Sequence, residues 1–171
     1  MERRLDAVVD VMRVPASGDP GSAVRTVDSG PPDREIECDV LVVGGGMGGV
    51  AAALAASRRG ARTCLLEETD WLGGQLSAQG VSALDEHEHI ETVGGTASYY
   101  ALRNALRDHY RARAGAAGRR PDFNPGDCWV TRVAFEPAVG AQAMLDLLVP
   151  HRASGRLQVF LRTKTVAIDS A

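Results

Sequence analysis

The feature that most constrains this chain is the stretch from Asp39 to Glu67, DVLVVGGGMGGVAAALAASRRGARTCLLE. It reads as strand, glycine turn, helix, strand. Asp39 to Val43 is a short apolar run, the pattern of a central parallel strand buried on both faces. Gly44, Gly46 and Gly49 then occupy the GxGxxG positions. The first permits a turn that a Cβ would strain, the second lets backbone approach a pyrophosphate, and the third lets helix and sheet pack closely. The following helix aims its unpaired N–H groups and positive dipole end at that turn, where an anion is favoured by ~0.3–1 kcal/mol per interaction.

Ala51 to Ala56 are strong helix formers and small enough to lie tight on a sheet. Gly60 is placed to end the helix in a left-handed C′ conformation. Thr63 to Leu66 is a second apolar run, closed by Glu67. A carboxylate roughly 20 residues beyond the glycines can accept hydrogen bonds from a ribose hydroxyl. A strand before the glycines, a helix after them and an acid at the next strand's tip together predict a dinucleotide site. A glycine-rich turn in some other βαβ unit is the bland alternative.

A chain of 171 residues is a natural single domain, and one of this size buries roughly 70% of its unfolded surface. The apolar fraction of 44% and charged fraction of 24% are those of an ordinary globular protein. A formal net charge of −3, with scattered arginines, gives no support for nucleic acid as a partner. No apolar run reaches the ~20 residues of a membrane span, and Asp6, Asp10 and Arg13 interrupt what would be the core of a secretory signal. Cys38, Cys64 and Cys128 form no CxxC pair, so they read as reduced residues of a cytoplasmic protein, without a metal.

Residues 1–36 read as a flexible leader before a domain spanning 37–171. Leu5, Val8, Val9 and Met12 have the spacing of one short amphipathic helix. The prolines, glycines and serines after Val14 supply little to bury. An edge strand around Ala23 to Val27 is the alternative.

Beyond Glu67, Trp71 and Leu72 are expected to anchor a loop in the core, and Gly73 and Gly74 to let its backbone turn close to a ligand. Asp85, Glu86, His87, Glu88 and His89 follow as a solvated acidic loop, a substrate-facing one or, at the far end, a metal site; i,i+2 spacing aligns the two histidines only in a strand. Thr96 to Arg113 predicts a helix with Tyr99, Leu102, Leu106 and Tyr110 toward the core and Arg103, Arg107, Asp108 and Arg111 on other faces. Cys128 to Phe135 alternates loosely, as a strand. Glu136 and Pro137 open another helix, with Val139, Ala143, Leu147 and Leu148 on its apolar face and Pro150 at its end. Leu157 to Ile168 reads as one strand or two.

The segments DVLVVGGGMGG, LLEETDWLGGQLSAQGVSALDEHEHIETVGG and NPGDCWVTRVAFEP resemble the N-terminal part of FAD-dependent oxidoreductases with a glutathione-reductase-like FAD domain. The resemblance covers roughly Cys38 to Ile168. It implies a Rossmann-like, three-layer α/β domain that binds FAD on a parallel sheet and is incomplete at its C-terminus. It assigns the pyrophosphate to Gly44, Gly46 and Gly49, with Gly45, Met47 and Gly48 between them, and the adenosine ribose to Glu67, with Glu68 beside it. Gly73, Gly74 and Gln75 would lie by the phosphates and lead toward the flavin, and backbone near Val166 would meet the adenine. The close cysteine pair of the disulfide-reductase branch is absent, which disfavours that branch. The expected function is hydride transfer from an unknown small-molecule substrate to FAD by a truncated or split cofactor-binding portion, completed by a second chain or a homo-oligomer. An NAD-binding dehydrogenase fragment and a non-catalytic nucleotide-binding subunit are the alternatives. No catalytic residue is assigned; His87 and His89 are the nearest candidates for proton transfer.

Overall fold

A computed structural model describes residues 2–4, 8–10, 25–27, 30–78, 80 and 83–169. In chain order the elements are β1 (Glu2–Arg4), β2 (Val8–Asp10), β3 (Arg25–Val27), β4 (Val40–Val43), α1 (Met47–Arg58), β5 (Thr63–Leu66), α2 (Gln75–Ala78), α3 (Ala97–Arg111), α4 (Pro137–Ala153), β6 (Leu157–Phe160) and β7 (Ala167–Asp169). The chain divides into two units, Met1–Glu37 with Lys164–Ala171, and Cys38–Thr163.

In the first unit β1 runs antiparallel to β7, and β2 antiparallel to β3 with Val8 opposite Val27. Helical spacing at Leu5, Val8, Val9 and Met12 therefore misleads at Val8–Asp10, which is strand. The β-branched pairs Val8–Val27 and Val9–Thr26 suit a ladder better than one isolated helical turn. Within the stretch expected to be a flexible leader, β3 at Arg25–Val27 matches the alternative reading, an edge strand around Ala23 to Val27. Leu5, Met12 and most of the expected flexible leader lie outside the described residues.

The second unit is built on a parallel sheet of order β4-β5-β6, with Val40 opposite Thr63 and Thr63 opposite Leu157. The central strand is β5, whose four residues are all buried, and β4 is an edge. This corrects the expectation that Asp39–Val43 is central: Val40, Leu41 and Val42 are half-buried, Asp39 is exposed, and Val43 is 55% exposed. An apolar run states that a strand packs, not how many neighbours it has.

Helix α1 buries Val50, Ala53, Leu54 and Ser57 at i, i+3, i+4 and i+7 against β4, β5 and α4. It ends as expected. Gly60 has φ +93°, its N–H donates to Ser57 O (3.0 Å), and the Ala61 N–H donates to Ala56 O (3.3 Å), a Schellman closure. Leu65, Leu72, Leu106 and Leu148 are completely enclosed, so one core joins the sheet to α1, α3 and α4. Helix α4 runs on through Pro150 to Ala153. In the last turn the proline forfeits one backbone bond and its fixed φ is already helical. Cys128–Phe135 is not a strand. Thr131, Val133 and Phe135 do alternate inward, but among the described residues only a single bridge, Ala83 to Ala134, pairs this segment. No helix among the described residues is long and apolar enough to cross a membrane.

Candidate functional site

The C-terminal tip of β4 leads into the glycine turn. Gly44 has φ +97° and donates its N–H to Leu66 O at 2.8 Å, which ties the turn to the end of β5. Gly46 is the N-cap of α1, extended and without a side-chain cap. The first helical bond runs from the Val50 N–H to Gly46 O at 2.9 Å. The N–H groups of the first turn therefore have no intrahelical acceptor, and no acidic side chain stands there.

The glycines do two different jobs. A Cβ on Gly49 would sit 1.8 Å from Gly44 O, and one on Gly45 would sit 2.5 Å from Leu72 Cδ2 and 2.9 Å from Glu67 Oε2. These two are bare because the turn is folded tightly on itself. A Cβ on Gly44 or Gly48 would meet nothing within 4 Å, and one on Gly46 only Gly74 Cα at 4.0 Å. These three leave a smooth backbone surface at the helix tip, with Met47 partly exposed beside it.

The second glycine pair lies against the first turn. The Gly73 N–H donates to Gly45 O at 2.9 Å, and Gly46 and Gly73 form a parallel bridge. Both Gly73 (φ +120°) and Gly74 (φ +55°) need left-handed backbone. Leu72 anchors this loop, fully buried, while Trp71 stays 38% exposed and is not the core residue expected from sequence. Gln75 starts α2 and is exposed.

Glu67, at the tip of β5, turns its carboxylate toward the bend. Oε2 accepts from the Gly45 N–H at 2.7 Å, and Oε1 accepts from the Thr69 N–H and hydroxyl at 2.8 and 2.7 Å. Burial pushes its pKa up, but the bonds from Thr69 and Gly45 outweigh that and hold it below the usual carboxylate range. The group is therefore charged at neutral pH. Glu68 beside it is exposed. The end of β6 closes the other side, with the Thr163 N–H on Glu67 O at 2.9 Å and the Arg162 N–H on Thr69 O at 3.1 Å. The structure thus joins Gly44–Gly49, Glu67, Gly73 and Gly74 in one locus. Val166 falls in the first unit, Met1–Glu37 with Lys164–Ala171.

The acidic loop holds what sequence reasoning missed. Asp85, His87, Glu88 and His89 are exposed, but the Glu86 side chain is buried to 2% exposure. It accepts from Arg103 Nε at 2.7 Å and Nη2 at 2.9 Å, and from the hydroxyls of Tyr99 and Thr131. Glu91 bridges Arg103 and Arg107, each at 2.8 Å. Arg103 is only 1% exposed, and Arg107 8%, although both were expected on the outer faces of α3. They follow Leu102 and Leu106 directly, so they lie at the margin of the apolar stripe. That adjacency, with acids available upstream, was the signal. No group of three metal-ligating side chains occurs among the described residues.

The sequence model of a family described as FAD dependent oxidoreductase matches residues 39–171. The chain is 33% identical over 91 residues to 4-oxocyclohex-2-ene-1-carboxylate 5-dehydrogenase of Sinomonas cyclohexanicum, covering 47% of this chain and 14% of that protein. It is 46% identical over 85 residues to 3-oxosteroid 1-dehydrogenase of Rhodococcus opacus, covering 50% of this chain and 16% of that one. Among solved structures, Sdh1 of Mycobacterium smegmatis in complex with UQ1 aligns with TM-score 0.43 and 14% identity over 74% of this chain and 28% of that chain. The chain thus spans about one-seventh to one-sixth of the length of those two curated relatives. With its glycine turn, adjoining helix and acid all inside the matched region, this chain belongs to the FAD dependent oxidoreductase family.

Proposed function

We propose that the chain is the part of an FAD-dependent oxidoreductase that holds the adenosine and pyrophosphate of the cofactor, and that the whole enzyme transfers a hydride from a small-molecule substrate to the flavin. The observation that supports this reading is the 2.7 Å bond between the Gly45 N–H and the Glu67 carboxylate, which joins the glycine turn to the acid at the tip of β5. The residues fit the group: Gly44, Gly46 and Gly48 present bare backbone at the helix tip with open space beside it, and the first-turn N–H groups of α1 are uncapped. FAD, when bound, supplies the hydride-accepting ring. The chain's own residues bind and orient. The N–H groups at the start of α1 offset phosphate charge, the ionised Glu67 accepts from ribose hydroxyls, and Gly73–Gly74 keep side chains out of the path toward the flavin.

Titration of the purified chain with FAD, followed by flavin fluorescence, tests this. Saturable binding that Gly46→Trp abolishes is expected. No saturable binding, or binding indifferent to that substitution, would overturn it. A carboxylate on the ribose also suits NAD, so a thermal-shift competition between FAD and NAD belongs in the same experiment; a larger stabilisation by NAD at equal concentration would replace FAD with the nicotinamide cofactor.

Among the described residues no strand pairs the outer edge of β4, where Val43 is exposed, and this supports a second element of the proposal. A further strand, from a second chain or another copy, pairs there, because an unpaired parallel edge associates readily. Size-exclusion chromatography with mass detection should find a species larger than the monomer; a stable FAD-binding monomer would refute this.

A further inference from the structure

Resting on the nucleotide reading above, we propose that Arg162 forms the adenine-binding face of the site, stacking its guanidinium plane on the base of the dinucleotide held by Glu67. Among the described residues only Asp127 and Arg162 are non-glycine residues with positive φ, Arg162 at +52°. Aspartate tolerates that conformation through its short polar side chain, but arginine has no such compensation. Burial does not offset the strain, for the Arg162 side chain is 78% exposed. What the unusual backbone achieves is position. The Arg162 N–H reaches Thr69 O at 3.1 Å and the Thr163 N–H reaches Glu67 O at 2.9 Å, so the residue is pinned to the turn that carries the ribose acid. Asp70, on that same turn, forms an ion pair with Arg162 Nε and orients the guanidinium.

The sheet order says what would meet it. Strands β4, β5 and β6 are parallel neighbours in that order, so their C-terminal tips share one edge. The pyrophosphate cradle is at the tip of β4 and the ribose acid is at the tip of β5. Neighbouring strands lie about 4.8 Å apart, close to the step between successive groups of a nucleotide. The next group beyond the ribose is the base, and the next tip is that of β6, which ends at Phe160 just before Arg162. A planar guanidinium is suited to a purine face in a way that an ammonium is not.

Arg162→Gly separates this role from a structural one, because glycine accepts the backbone that arginine strains. In the full chain, free of nucleotide, the variant should melt roughly 2–4 °C higher. Its Kd for FAD and for ADP should rise about tenfold, the size of a partly desolvated cation–π contact, while its Kd for ribose 5-phosphate, which has no base, changes less than twofold. Arg162→Asn, which also tolerates left-handed backbone, should repeat the binding result should the glycine variant fold poorly, and Arg162→Lys should not restore affinity. Unchanged FAD and ADP affinity, an equal loss for ribose 5-phosphate, which would mark a phosphate or sugar contact, or a lowered melting point would overturn the proposal. Wild-type chain that binds neither FAD nor ADP would instead refute the nucleotide site itself, and this inference with it.

Discussion

Gly45 and Glu67 lie 22 residues apart and are joined by an N–H to carboxylate bond of 2.7 Å. The carboxylate that we propose for the ribose is thereby locked to the glycine turn. The acid keeps acceptor capacity, since a carboxylate offers about four lone-pair directions and three protein N–H or O–H donors use them here. Glu67→Gln keeps the shape and removes the charge. FAD affinity should fall by about 10- to 100-fold, as expected for hydrogen bonds to a charged group worth roughly 1.5–3 kcal/mol. Flavin-fluorescence titration of the variant checks it, and affinity within threefold of wild type would count against a ribose role.

Two glycines one residue apart should respond in opposite directions. Gly49→Ala forces a Cβ to 1.8 Å from Gly44 O, and backbone faces backbone, so neither can step aside. A loss of about 2–3 kcal/mol or more is expected, at the upper end of overpacking costs. Gly48→Ala places its Cβ in open space, and alanine's helix propensity should add up to about 1 kcal/mol. Urea denaturation of the two variants measures both, and the Gly48 variant should still bind FAD more weakly because its methyl group sits on the bare cradle.

The buried pair of Arg103 and Glu86 should govern stability and its pH dependence. Arg103→Ala leaves the Glu86 carboxylate unpaired inside the protein, at a cost of about 3–5 kcal/mol. Burial pushes the pKa of Glu86 up, but bonds from Arg103, Thr131 and Tyr99 prevail and hold it below its ordinary 4.5, and Glu91 is lowered likewise by Arg103 and Arg107. A carboxylate depressed on folding adds stability above its unfolded pKa and loses it as pH falls through the folded value. Melting temperature should therefore be level above about pH 5 and decline progressively below pH 4.5. Glu86→Gln should flatten part of that decline; an unaltered acid profile would show that the pair does not set it.

Cys64 should be inert in the folded protein. It is 1% exposed on the central strand, and burial, followed by a hydrogen bond with Cys38, pushes its thiol up to about 12. Thiolate, not thiol, attacks alkylating agents. Iodoacetamide at pH 8 followed by mass spectrometry should label Cys64 only after urea is added; labelling of the native chain would contradict the burial.

The βαβ unit was legible from sequence because each of its signals is local. Gly44 needs positive φ, Gly49 admits no Cβ, Gly60 closes a helix, and Val50, Ala53, Leu54 and Ser57 share one face; each follows from spacing of a few residues along a single element. The end of α4 beyond Pro150 is a local correction, but most of the others concern neighbours distant in sequence. Helical spacing at Val8 ignored the partner strand Arg25–Val27. The apolar run at Val40–Val43 could not reveal that β5 takes the middle of the sheet. Alternation over Thr131, Val133 and Phe135 described inward packing without a ladder.

By itself the sequence determined the glycine turn, the helix behind it, the acid one strand later and the family to which they belong. Tertiary structure alone decided that Arg103 enters the core, that Glu86 leaves the solvated loop to meet it, and that Arg162 stands at the rim beside Glu67. The physical reason is that a turn or a cap is satisfied by atoms a few residues away. A buried charge, or a strained residue on a strand tip, is settled by partners that the chain brings close only when it folds.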